Sequence, residues 1–160
     1  MITALEVSQM KSFCLVALTL ALATSSADAA NVKFRGYVCI KSASAGCAAQ
    51  GWEAGDCSYM SLKPAGIGDN GPQTSLSFFY NFGAVNHSLA SGSPIGTTFK
   101  DVTGAFLFSG AYQTTAKMRF TKQTPADLTT AQDVAVVGDI RDFDDDGCNI
   151  NFKATGQRVQ

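Results

Sequence analysis

The sequence is poor in the residues that do chemistry. It holds one histidine, one tryptophan and few glutamates in 160 residues. A glycosidase needs two placed carboxylates, and beyond an N-terminal segment read below as a signal, Glu53 is the single glutamate. A serine hydrolase needs a base beside its nucleophile, and neither Ser88 nor Ser93 sits in a Gly-x-Ser-x-Gly context. His87 reads as a loop or strand-end residue within Asn86-His87-Ser88, which is also a formal glycosylation sequon. No Cys-x-x-Cys is present, and Gly66-Ile67-Gly68-Asp69-Asn70-Gly71 lacks the lysine and the helix of a phosphate loop.

Charge of one sign is missing too. The net charge is −1. Removing Lys11, Glu6 and Asp28 with the N-terminal segment leaves the remainder neutral, so nucleic acid and anionic membranes are not favoured partners. The apolar run Phe13 to Ala23 is too short for a stable span, which takes roughly 20 apolar residues. It follows Lys11 and precedes Ala27-Asp28-Ala29, the order of positive flank, apolar run and small-residue cleavage site. Residues 1–29 therefore read as a signal peptide, with Met10 as an alternative start, and no transmembrane segment is expected after cleavage. Cys14 lies at the front of the run, which is the wrong place for a lipid anchor.

What is present is alternation. Leu76, Phe78, Tyr80 and Phe82 share one parity against Ser75, Ser77 and Asn81. Ala116, Met118 and Phe120 oppose Lys117, Arg119 and Thr121, and Cys148, Ile150 and Phe152 oppose Asn149, Asn151 and Lys153. This period of two marks half-buried strands. Further strands are expected at Val32 to Lys41, Cys57 to Lys63, Thr97 to Val102, Thr103 to Ser109 and Val134 to Phe143, separated by glycine-, proline- and aspartate-rich turns. One helical turn is expected at Thr124-Pro125-Ala126-Asp127, where a capping threonine precedes proline and an acid. The expected fold is all-β: residues 30–160 as a single-domain antiparallel β-barrel or β-sandwich of about eight short strands, with at most one short helical turn. An outer-membrane barrel fits poorly, because outward positions carry Lys, Arg, Asn and Ser.

Four cysteines remain after the signal: Cys39, Cys47, Cys57 and Cys148. An even set in an exported chain reads as disulfides, and the address as secreted or periplasmic. An up-and-down order of strands gathers all four at one end, and the favoured pairing is Cys39 with Cys148 and Cys47 with Cys57. The outward parity of Cys39, shared with Lys33 and Arg35, speaks against a core-facing bridge.

Two clusters near that end could carry binding. Asp142, Asp144 and Asp146 followed by Gly147 match the first half of a calcium loop, but Lys153 stands where the bidentate glutamate belongs. A hairpin turn explains the same residues. Trp52, Glu53 and Asp56 form a second candidate, with the indole as a sugar platform or, more plainly, as a cover over a disulfide. The first reading is a non-enzymatic exported binding or envelope-associated module, meeting a surface or small ligand at its cysteine-rich end. A calcium-stabilised secreted protein comes second and a small secreted hydrolase third. No cofactor other than calcium is suggested.

Overall fold

The structure, a computed structural model, describes residues 31–68, 70–79, 85–106, 112–124 and 127–159. The proposed signal peptide, Tyr80 to Phe82 of the expected third strand, Leu107 to Ser109 of the strand expected at Thr103 to Ser109, and Pro125 and Ala126 of the expected helical turn lie outside them.

The described residues form eight antiparallel strands: β1 (Phe34–Ala43), β2 (Cys57–Lys63), β3 (Thr74–Phe79), β4 (Val85–Ser91), β5 (Lys100–Phe106), β6 (Tyr112–Phe120), β7 (Asp133–Arg141) and β8 (Ile150–Arg158). Each pairs with the next, and β8 returns to β1, so the sheet closes as an up-and-down barrel. Closure leaves no unpaired sheet edge. The seam runs from Phe34 opposite Arg158 to Ala43 opposite Ile150, with one irregularity between Ile40 and Ser42. A four-residue helix, α1 (Ala45–Ala48), lies between β1 and β2.

A tight helical turn at Asp127–Thr129 lies between β6 and β7. Thr124 and Asp127 hold its start reciprocally, the Asp127 carboxylate accepting from the Thr124 amide and hydroxyl. Its end is held by Arg158, which donates to the carbonyls of Leu128, Thr129 and Ala131.

Two strand expectations are corrected. The sequence alternation divides Thr97 to Ser109 in two at Val102, whereas β5 runs unbroken across that point. It also leaves Val85–Ser91 unassigned, and this segment is β4. The inward residues His87, Leu89 and Ser91 include just one strongly apolar side chain, so the period-two signal is faint there.

Among the described residues, large side chains pack the barrel interior. Phe34, Phe78, Phe120 and Phe152 point inward from four strands, with Leu62, Leu76, Leu89, Met118 and Ile140 between them, all fully buried. Small residues make room for the rings. A β-carbon at Gly138 would strike the Phe152 ring and the Lys117 carbonyl. Alternating large and small residues is how an eight-stranded barrel packs its narrow interior with side chains.

Gly138→Ala should therefore destabilise the protein by about 2 kcal/mol through overpacking, read as a Tm lowered by several degrees in thermal unfolding. An unchanged Tm would show that the Phe152 ring can move aside freely.

Candidate functional site

The up-and-down order brings the end of β1, the start of β2 and the start of β8 to one pole, and the cysteines meet there. The pairing differs from the one expected. Cys39 bonds Cys57, and Cys47 bonds Cys148. The reason is register and parity. Cys39 and Cys57 stand directly opposite on neighbouring strands and face outward, so they are adjacent before any bridge forms. Helix α1 turns Cys47 inward, where it and Cys148 are both fully buried. The outward parity of Cys39 was the sequence signal for this arrangement.

The loops at this pole bind mainly to one another. The Trp52 indole N–H donates to Asp144 Oδ2 at 2.8 Å, and its ring meets the edge of Phe143 at 5.3 Å. Gln50 donates to Asp145 Oδ2 at 3.0 Å, and Ser44 donates to the Gly147 carbonyl while accepting from the Asn149 amide. Asp56 accepts from the Glu53 amide, and its own carbonyl accepts from Ile40 at the end of β1. Trp52 is thus half-buried between the loop and the core, Asp56 holds a turn, and Glu53 is exposed beside them.

The Asp-rich segment is a turn of the same kind. Asp142 adopts a positive φ of 52°, and its carboxylate accepts from the Gly147 amide at 2.8 Å. Asp144 faces Trp52. Asp145 accepts from Gln50 and from the Asp146 amide. Carboxylates aimed at separate donors do not form the convergent cage that calcium needs. Among the described residues, no three His, Cys, Asp or Glu side chains are grouped to hold a metal, so Asp142, Asp144 and Asp146 are not brought together as ligands.

His87 lies inside the barrel on β4, not in a loop. It stacks between Phe78 and Phe143, at 5.6 and 5.0 Å, and its Nε2 is 3.1 Å from the Thr114 hydroxyl. A β-carbon at Gly104 would strike the Thr114 hydroxyl and the Leu89 side chain and crowd His87 Nε2, which is why β5 carries glycine at this point. Burial lowers the His87 pKa from 6.5 to about 4, because the charged imidazolium is poorly solvated between phenyl rings.

The outer face of β1, β2 and β3 is a different surface, and sequence reasoning did not single it out. Tyr37, Tyr59 and Phe79 stand in register across the three strands. Tyr37 and Tyr59 are 50% and 63% exposed with ring centroids 4.9 Å apart. Hydrogen bonding with the Tyr59 phenol, and then its charge, push the Tyr37 pKa up. One row further along the strands stand Arg35, Ser61 and Ser77, again in register. Lys33 and Lys63 follow, and the Cys39–Cys57 bridge borders the aromatic row on its other side. Partial burial, then Arg35 and Lys63, push the Lys33 pKa down. Lys33, Arg35, Tyr37, Tyr59, Ser61 and Phe79 line a groove of about 580 Å³.

Comparison with known protein families, curated proteins and solved structures finds no match to this chain.

Two outcomes test this account of the pole and the interior. In the chain-entropy view, a bridge over about 15 residues is worth about 3 kcal/mol and one over about 100 residues about 4.7. The two bridges here have separations of 18 and 101. Replacing Cys47 and Cys148 with alanine should therefore lower the denaturant midpoint further than replacing Cys39 and Cys57. The reverse order would show that the local bridge holds the pole.

The second outcome concerns pH. A base whose folded pKa is depressed contributes stability in full above its unfolded pKa of 6.5, and that stability is lost as pH falls towards 4. The expected loss is about 3 kcal/mol. As the only histidine in the chain, His87 is read without assignment by its imidazole proton resonance, expected to titrate near pH 4. A midpoint near 6.5 would contradict the enclosure.

Proposed function

We propose that this protein is a small exported, non-enzymatic recognition module that binds through the outside of its barrel, on the face of β1, β2 and β3. The observation that carries this reading is the filled interior. Eight-stranded barrels that carry small apolar ligands keep a hollow between their strands. Here that space is occupied by phenylalanine, leucine and methionine side chains from around the ring of strands.

Recognition through the outside then favours the surface with exposed rings beside charged and hydroxyl groups. Tyrosine suits this role, since a large rigid ring with a polar tip gives contact area at low entropic cost. The loops of the cysteine-rich pole support the same reading indirectly, because their polar groups largely hold each other and hold the barrel shut. The hydrolase reading gains nothing from His87, whose ring is enclosed by Phe78 and Phe143. Two disulfides are consistent with an extracellular or periplasmic location. Export by the N-terminal signal is part of the proposal.

The test is a binding array of carbohydrates, lipids and peptides probed with the intact protein and with a Tyr37→Ser/Tyr59→Ser variant. Binding by the native protein should fall about tenfold or more in the variant, with an unchanged amide spectrum confirming the fold. A ligand bound equally by both forms, or an apolar ligand that shifts the buried His87 resonances, would overturn the outer-face reading.

A further inference from the structure

We infer that the ligand of this face is a linear polysaccharide bearing uronate carboxylates, lying across the strands on the Tyr37–Tyr59–Phe79 row. The inference rests on the outer-face reading and specifies its ligand.

Charge is the first argument. Strands β8, β1, β2 and β3 are contiguous in the barrel, and none contains an aspartate or glutamate. Their outward positions carry Arg35, Lys63 and Lys153, with Lys33 just ahead of β1. The strands on the opposite side hold Asp101, Asp133 and Asp139 among their cations, and Lys117 there lies 3.8 Å from Asp101. Strand carboxylates are thus confined to β5 and β7. Lys33, Arg35 and Lys63 stand on or beside β1 and β2, with no carboxylate on those strands or on β8 and β3 next to them, whereas Lys153 is diagonal to Asp139 of β7. A carboxylate ligand fits the Arg35 fork and the lysines beside it.

Ring chemistry is the second argument. The π faces of tyrosine and phenylalanine are electronegative, and the axial C–H groups of a pyranose are weakly positive, so sugar faces settle on aromatic rings. Neighbouring strands are about 4.8 Å apart, and a pyranose in an extended chain advances the polymer by a similar distance. The Tyr37 and Tyr59 rings, 4.9 Å apart and tilted by 34°, overlap one another, and with Phe79 in register beside them they form one continuous aromatic strip along which the sugar C–H groups lie. The row beyond supplies hydroxyls from Ser61 and Ser77 for the sugar hydroxyls, and the Arg35 guanidinium for a carboxylate.

Shape separates this ligand from other anions. The face is a groove between standing side chains, which admits a single extended chain more readily than a flat bilayer.

Affinity electrophoresis of the intact protein in gels cast with polygalacturonate, or with neutral galactan, tests the inference. Polygalacturonate should retard the protein, galactan should not, and added salt should weaken retardation. An Arg35→Gln/Lys63→Gln variant and the Tyr37→Ser/Tyr59→Ser variant should each bind about tenfold more weakly. Phe99→Ser should bind as the native protein does, since Phe99 is an exposed ring outside this face that sits under Arg119. Equal retardation by galactan, undiminished binding by the Arg35/Lys63 variant, or stronger competition from duplex DNA or phosphatidylglycerol vesicles would overturn the uronate assignment. Tyrosine-dependent binding to another class on the array, with no retardation by polygalacturonate, would remove the uronate inference and leave the outer-face reading standing. Retardation that survives loss of both tyrosines would remove both.

Discussion

The structure depends on the small, fixed volume inside a closed ring of eight strands. Closure pairs the backbone all round and sets the interior width, so the inward side chains must sum to that volume in low-energy packing. Large and small inward residues are therefore coupled across strands: Phe152 requires Gly138, and Thr114 and Leu89 require Gly104. The same constraint makes His87 an interior packing residue. With phenyl rings on both faces and a hydroxyl at its edge, the imidazole is held neutral, far from the exposed base that a hydrolase would need.

That coupling also explains what could be read from the sequence. Strands with strong alternation were legible, and β2 has the expected bounds of Cys57 to Lys63. β4 was not, because its interior partners are a histidine and a serine whose polarity imitates a loop. Within β5, Gly104 interrupts the apolar rhythm, although in the barrel it leaves the room that Thr114 and Leu89 fill, with His87 beside them. Isolated glycine in a strand often marks such close approach, but the approaching group lies on another strand and cannot be named from local sequence.

The cysteine pole was legible as a place and misread as a wiring. Strand order alone brings the four cysteines together. Choosing among the pairings needs the register of β1 against β2 and the inward turn of α1, and neither follows from the spacing of cysteines. The aspartate and tryptophan candidates share this history. Their composition suggested ligands, and their positions in adjoining loops also pair Trp52 with Asp144 across 92 residues of chain, beside a Gln50–Asp145 pair across 95. A loop whose acceptors meet the protein's own donors is stiffened, and stiffness there supports the ends of β1, β2 and β8.

The outer face of β1, β2 and β3 was invisible for a related reason. Tyr37, Tyr59 and Phe79 are far apart in sequence, and each taken singly is an ordinary strand aromatic. Only the register makes them a row, and a one-residue slip would send each ring to the opposite face. The disulfide between Cys39 and Cys57 pins the β1–β2 register two residues from the tyrosine pair. The exposed bridge thus has a consequence beyond the entropy of its short loop, since it fixes one ring against the other. Net charge is equally uninformative, because a balanced total conceals a barrel whose strand carboxylates are confined to β5 and β7. A surface whose rings are held in register beside cations is organised by the fold itself, and the proposed binding there would have little further ordering to oppose it.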